Sequence, residues 1–280
     1  MTDRYLVVGN PIAQSRSPQI HSLFAEQTGE ALSYESKLVE LDGFEAAAKK
    51  FFSEGGRGMN ITMPFKEDAY RFADRLSAGA QIAGAVNTLA ASEDGEIIGH
   101  NTDAAGLIAD IERQGKVITH QRVLVLGAGG AVRGILEPML KLGPKELVIA
   151  NRTHEKAQQL AKGFAGYGSI RSCPLDALLD GAGSEAFDLV INGTSTSLAG
   201  ASLELPAGIL VPSSLCYDMV YAAQPTAFMQ WALSQGASAS DGLGMLVGQA
   251  AESFRIWRGV SPDFVNVIAT LRSDMLNGQT

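Results

Sequence analysis

Residues Arg122 to Thr153 read RVLVLGAGGAVRGILEPMLKLGPKELVIANRT: an apolar strand, a glycine turn, a helical stretch and a second apolar strand. No other segment constrains the fold as strongly, because this order is the beginning of a dinucleotide-binding βαβ unit. Gly127 permits the tight turn out of the strand, and Gly129 and Gly130 keep side chains away from an approaching pyrophosphate. The N-terminus of the following helix offers unpaired N–H groups to an anion. Val132 stands where the G-x-G-x-x-G/A pattern wants a small residue. The glycines alone also fit an ordinary turn, but a strand on each side favours the cofactor reading. The second strand ends at Asn151-Arg152-Thr153, where an NAD site usually carries Asp or Glu about 20 residues after the glycines. No carboxylate is there to repel a 2′-phosphate. Arg152 can pair with that phosphate and lie on the adenine, with Thr153 and Lys156 adding donors. Thr153 also suits an N-cap. The expected cofactor is NADP(H).

Strand and helix patterns alternate along most of the chain, which predicts a mostly parallel sheet with covered faces. Strands are expected at Tyr5–Val8, Tyr34–Leu41 and Gly58–Thr62. Ser17 is an expected N-cap with Pro18 at the first helical position, and Gly29 closes that helix. Asp42 and Glu45 resemble a capping box opening a helix that ends at Gly55-Gly56. A hairpin turns at Asp94-Gly95, and a helix begins near Asp103. After Thr153 come a helix over 154–163, a strand at Ser169–Ser172, a helix at Asp176–Leu179, strands at Phe187–Asn192 and Leu215–Asp218, and a helix at Thr226–Gln235. Gly242–Arg258 and Pro262–Met275 are two helices with no strand after them. The expected fold class is α/β with two lobes. Residues 1–103 plus 240–280 form an N-terminal α/β substrate lobe onto which the C-terminal helices pack back. Residues 104–239 form a Rossmann-type NADP-binding lobe inserted between them.

The 280 residues suffice for one large domain or two modest ones, and 19% charged residues with 46% hydrophobic describe an ordinary globular chain. A net charge of −8 argues against nucleic acid as partner. Cys173 and Cys216 lack metal-ligand spacing, and the four histidines are scattered, so no metal is expected. The first strand begins almost at once, leaving no signal peptide, and no apolar run approaches ~18 residues. A cytoplasmic location is expected.

Reduction of a carbonyl by hydride needs a positioned cofactor, a held substrate and a proton donor. Polar residues gather at predicted strand ends of the first lobe: Ser15-Arg16-Ser17, then Asn60, Thr62 and Lys66, then Asn87-Thr88, then Asn101-Thr102-Asp103. Lys66 and Asp103 suit an acid–base pair, a lysine charge-balanced by a carboxylate. Taken singly, Lys66 also suits a solvated helix start, and Asp103 and Ser17 suit N-caps.

The segments GNPIAQSRSPQIH, GMNITMPFKEDA, GAVNT, NTD, GAGGAVRG, NRT, INGTS, YDMVY and DGLGMLVGQAAESF resemble, in order from Gly9 to Phe254, the motifs of shikimate dehydrogenases. The resemblance implies NADPH-dependent reduction of 3-dehydroshikimate to shikimate in aromatic amino-acid and chorismate biosynthesis. It implies that Lys66 is the catalytic lysine and Asp103 its partner. Ser15, Ser17, Asn60, Thr62, Asn87, Tyr221 and Gln249 would join them in holding the carboxylate and hydroxyls of the substrate. Gly127, Ala128, Gly129, Gly130, Ala131, Asn151, Arg152, Thr153, Lys156, Thr194, Met219 and Gly242 would contact the cofactor. The chain departs from the family pattern at His100, Ala104, Met63 and Ala78, where an acidic residue, Gly, Val and Glu are usual. These departures keep open a shikimate dehydrogenase-like paralogue or an enzyme that also takes quinate. A non-catalytic NADP(H)-binding protein would not need both Lys66 and Asp103. A methylene-tetrahydrofolate dehydrogenase would not need the polar set of the first lobe. The expected partner is a small molecule, and the chain is expected to be a monomer or homodimer.

Overall fold

The computed structural model describes residues 2–178, 186–194, 205–206 and 208–278. The chain divides into two compact units, Met1–Gly106 with Leu246–Thr280, and Leu107–Met245.

The first unit is built on β1 (Asp3–Gly9), α1 (Ser17–Thr28), β2 (Leu32–Leu38), α2 (Phe44–Ser53), β3 (Gly56–Ile61), α3 (Lys66–Phe72), β4 (Arg75–Leu76), α4 (Ala78–Ala83), β5 (Thr88–Ala91), β6 (Ile97–His100) and the start of α5 (Asp103–Arg113). Its sheet runs β2-β1-β3-β5-β6-β4. The first three strands are parallel, whereas β5 is antiparallel to both β3 and β6. The sheet is therefore mixed, because the Asp94-Gly95 turn returns the chain at once as a hairpin, with Gly95 at φ 85°. Leu6, Val8, Met59, Ile61, Phe44, Phe51 and Phe65 form the core on one face.

Several local expectations shift. Strand β2 runs over residues 32–38 rather than 34–41, because its partner β1 ends where Gly9 pairs with Leu38. Strand β3 begins at Gly56, so Gly55 alone, at φ 85°, closes α2. Ser17 is the first residue of α1 and not its cap. Arg16 holds that place, and the Ser17 N–H is taken by Ser15 Oγ at 3.3 Å. No capping box forms at Asp42. A turn from Glu40 to Gly43 delays the helix by one residue, and Glu45 pairs with Lys49 instead.

The second unit carries β7 (Arg122–Leu126), α6 (Gly130–Lys141), β8 (Glu146–Asn151), α7 (His154–Phe164), β9 (Ile170–Pro174), β10 (Phe187–Asn192), β11 (Leu210–Asp218), α8 (Ala227–Ser234) and β12 (Ser238–Ser240). Its order β12-β11-β10-β7-β8-β9 is parallel throughout. The central strands are covered on both faces, which is why Val123–Leu126 and Leu147–Ala150 are continuous apolar runs with no exposure. The short strands β4 and β12 lack any sequence signal, and the expected helix at 176–179 is a 3-10 turn at Asp176–Leu178. Its last residue, Leu179, and Ser195 of the INGTS segment lie outside the described residues. Thr153 occupies the N-cap position of α7 but its side chain makes no capping bond.

Helices α9 (Leu243–Arg258) and α10 (Phe264–Leu276) close the chain. From Leu246 onward they belong to the first unit. Gln19 Nε2 reaches Asp274 Oδ2 at 2.6 Å, and Arg258 pairs with Glu30 and Asp3.

Candidate active site

In the first unit the ends of β3, β5 and β6 deliver polar side chains to one place. Lys66 opens α3, and Asp103 opens α5. Lys66 Nζ donates to Asp103 Oδ2 at 2.5 Å. A helix N-terminus favours a carboxylate and disfavours a cation, so Asp103 both suits its own helix and balances Lys66 on the other. Asp103 does not cap α5 with its side chain. Its second oxygen, Oδ1, accepts from Asn87 Nδ2 at 2.8 Å, while its own N–H goes to Asn101 Oδ1 at 3.1 Å. Both carboxylate oxygens are thus held.

Asn87 is fixed in one orientation. Its Oδ1 accepts the Thr102 N–H at 2.9 Å, and its Nδ2 meets a carboxylate and the Thr102 hydroxyl. Only an amide can bridge an obligatory donor and an obligatory acceptor in this way. Gln249, on α9, lies at the edge of this group, with Oε1 at 3.4 Å from both Asn87 Nδ2 and Thr102 Oγ1. Asn60, at the end of β3, donates to Asn87 O, Thr88 Oγ1 and Ser253 Oγ. Thr62 follows β3, Ser15 lies in the loop after β1, and Ser17 opens α1. Thr62 is pinned through its N–H to Val8 O at 3.0 Å. Gly9 is needed there, since a Cβ would come within 2.5 Å of Thr62 Cγ2. Tyr221 alone of the proposed substrate set is carried by the second unit.

In the second unit a cavity of about 580 Å³ is lined by Gly127, Ala128, Gly129, Gly130, Ala131, Asn151, Arg152, Leu175, Gly193 and Thr194, among others. Gly127 has φ 108°, which an L side chain rarely adopts. A Cβ on Gly129 or Gly130 would meet no protein atom within 4 Å, so those two positions open the cradle rather than pack it. The donor set fits NADP(H): backbone N–H groups at the start of α6 suit a pyrophosphate, and the exposed Arg152 at the end of β8 suits a 2′-phosphate. Thr153 and Lys156 follow on α7 and are exposed. Val132 breaks the small-residue pattern without cost, because Gly193 faces it: a Cβ on Gly193 would come within 2.4 Å of Val132 Cγ2.

Thr194 and Met219 are set by residues to which the sequence assigned no role. Asn192 Oδ1 accepts from both the N–H and the hydroxyl of Thr194, at 3.1 and 2.7 Å. The buried Asp218 accepts from Asn192, the Val220 N–H and Thr226. Gly242 packs its backbone on Met219, where a Cβ would stand 2.3 Å from Met219 O. In the first unit Ser253 and Tyr34 were also unassigned, whereas Thr88 and Thr102 belong to the polar pairs expected at the strand ends. The available signal for Ser253 was its spacing, four residues after Gln249 on the same helical face.

Among the described residues no group of His, Cys, Asp and Glu is arranged for a metal, and no helix is long and apolar enough to cross a membrane.

Three family descriptions match successive parts of the chain. They are a shikimate dehydrogenase substrate binding domain over residues 7–89, shikimate / quinate 5-dehydrogenase over 110–200, and a shikimate 5′-dehydrogenase C-terminal domain over 242–272. A curated relative from Saccharophagus degradans, a shikimate dehydrogenase (NADP(+)), is 54% identical and covers 96% of this chain and 99% of its own. Among solved structures, an Ael1 enzyme from Pseudomonas putida superposes with a TM-score of 0.90 at 46% identity, covering 96% of this chain and 98% of that one. A shikimate 5-dehydrogenase from Thermus thermophilus, in complex with NADP(H) and shikimate, gives 0.85 at 32% identity, covering 97% and 99%.

Proposed function

The chain belongs to the shikimate dehydrogenase family, and on that premise we propose that it is an NADP-dependent enzyme that reversibly reduces 3-dehydroshikimate to shikimate. The observation that carries the chemistry is the 2.5 Å contact between Lys66 Nζ and Asp103 Oδ2, set among amide and hydroxyl side chains. NADPH, when bound, supplies the hydride to the ring carbonyl carbon. Lys66 then delivers a proton to the carbonyl oxygen as it gains negative charge, and takes one back from the hydroxyl in the oxidative direction. Asp103 keeps the ammonium in place and balances its charge. Ser15, Ser17, Thr62, Asn87, Tyr221 and Gln249 hold the carboxylate and hydroxyls of the substrate, and Asn60 supports them. Gly127 to Ala131 receive the pyrophosphate, and Arg152, with Asn151, Thr153 and Lys156, receives the adenosine 2′-phosphate. Thr194, Met219 and Gly242 border the nicotinamide.

The residues assigned to catalysis and binding all come from one chain, so a monomer or homodimer suffices. Its partners are small molecules, and the cytoplasm, where both free cysteines would stay reduced, suits it. Initial rates on shikimate and on quinate, each with NADP and with NAD, test the whole reading. We expect shikimate with NADP to give the highest kcat/KM. Preference for quinate would replace the substrate assignment, and preference for NAD would remove the role of Arg152.

A further inference from the structure

Ser253 lies fully buried on α9. Its Oγ stands 3.1 Å from Asn60 Nδ2, 2.8 Å from Thr88 Oγ1 and 3.4 Å from Thr102 Oγ1, and it donates to Gln249 O at 3.0 Å. On the other side of Asn60, the Tyr34 hydroxyl donates to Oδ1 at 2.6 Å. Burial pushes that hydroxyl well above the usual tyrosine range, opposed by a hydrogen bond with Ser17, so it remains a donor throughout the working range of pH.

Obligatory donors and acceptors fix the two amides of this lattice. The Thr102 N–H and the Asp103 carboxylate orient Asn87. The Asn87 carbonyl oxygen accepts from Asn60 Nδ2 at 3.2 Å, and the Thr88 hydroxyl, whether its proton goes to Asn87 Oδ1 or to Ser253 Oγ, accepts from Asn60 as well. Asn60 therefore turns its Nδ2 to Thr88 and Ser253, and its Oδ1 to Tyr34. The Asn60 amide is engaged from both sides by protein groups, which suits support better than substrate contact.

We propose that Ser253 and Tyr34 are positioning residues for the substrate: by clamping Asn60 they fix Thr88 and Asn87, and through them the polar face that meets the substrate hydroxyls. The proposal rests on the shikimate reading of this site. It accounts for a serine at a fully buried position of a helix.

The test measures KM for shikimate, KM for NADP and Tm in the full-length wild type, Ser253→Ala and Tyr34→Phe. Each variant removes one hydroxyl and leaves one Asn60 contact unmet. We expect KM for shikimate to rise about fivefold in each, on the scale of one mis-set hydrogen bond. KM for NADP should stay within about twofold, and Tm should fall by only a few degrees, the cost of one unmet buried polar contact. If Ser253→Ala fails to fold, Tyr34→Phe decides. An unchanged KM for shikimate in an active variant overturns the positioning role alone. So does an equal rise in both KM values, which marks a merely structural effect. No turnover of shikimate by the wild type overturns the underlying reading, and the proposal with it.

Discussion

Lys66 stands where a helix dipole disfavours a cation, and Asp103 stands where one favours an anion. Their contact is braced by Asn87, which holds the other carboxylate oxygen, an arrangement that the proposed proton donor requires and a surface ion pair does not have. Lys66→Ala should lower kcat by about 10²–10⁴-fold, the usual contribution of a positioned acid or base. Shikimate binding, measured by equilibrium titration, should weaken far less; near-normal turnover would remove Lys66 from the chemistry. His21 makes a different prediction. It is fully buried, stacked on Tyr34 at 4.2 Å between ring centroids, and packed near Phe24, Phe254 and Trp257. Burial pulls its pKa down to about 3, only partly opposed by Asn60. The folded protein therefore keeps His21 neutral while the unfolded chain protonates it below about pH 6.5. Its contribution to stability is complete above that pH and declines as pH falls from about 6.5 toward 3. The slope is up to about 1.4 kcal/mol per pH unit. Urea unfolding between about pH 7 and 4.5, the span over which the unfolded chain takes up the proton, should show this slope in wild type and a shallower one in His21→Phe. Identical slopes would mean that His21 titrates in the fold.

The β7–turn–α6 element was legible because Gly127 answers a backbone demand that other residues rarely meet, while Gly129 and Gly130 leave the turn open. Gly127, expected to permit the tight turn, has a φ of 108°, and the strand Phe187–Asn192 followed, end to end, from its apolar run. The caps were not legible: a single turn after Glu40 displaced the α2 cap, and Ser17, expected as the cap of α1, became its first residue with its N–H taken by the Ser15 hydroxyl. Nor was the pairing of Val132 with Gly193, which depends on two strands brought side by side. It yields an element-scale prediction. Gly193→Ala would place a methyl 2.4 Å from Val132 Cγ2, with Met219 Sδ also close at 3.3 Å. Overpacking of this kind costs about 1–3 kcal/mol. Adding Val132→Ala should recover part of the loss in a urea titration, giving a non-additive pair. Strict additivity would show that helix and strand are not in conflict at that point.

At the scale of the molecule, the sequence showed that the last forty residues leave the βα alternation. It did not show why they are indispensable to the first unit. Thr88 and Ser253 are separated by 165 positions yet lie 2.8 Å apart, and only the folded topology makes them neighbours. The same holds for Trp257, whose Nε1 donates to Leu89 O at 3.0 Å and whose ring covers Gly58 so closely that a Cβ there would collide. Phe254, Val267 and Leu271 are buried as well. Synthesis of residues 1–106 therefore ends with Gly58 and Leu89 lacking the cover that α9 provides and α1 lacking its contact with α10. We expect that unit to complete its fold only once the chain has passed through residues 107–245. A chain ended after Met245 should leave residues 1–106 open, with His21, Asn60 and Leu89 O deprived of partners, while the parallel sheet of the second unit stays intact. Limited proteolysis should then release a resistant core from the second unit and degrade the first. NADP affinity should survive where shikimate binding is lost. A protease-resistant N-terminal fragment from the shortened chain would show that the terminal helices decorate that unit rather than complete it.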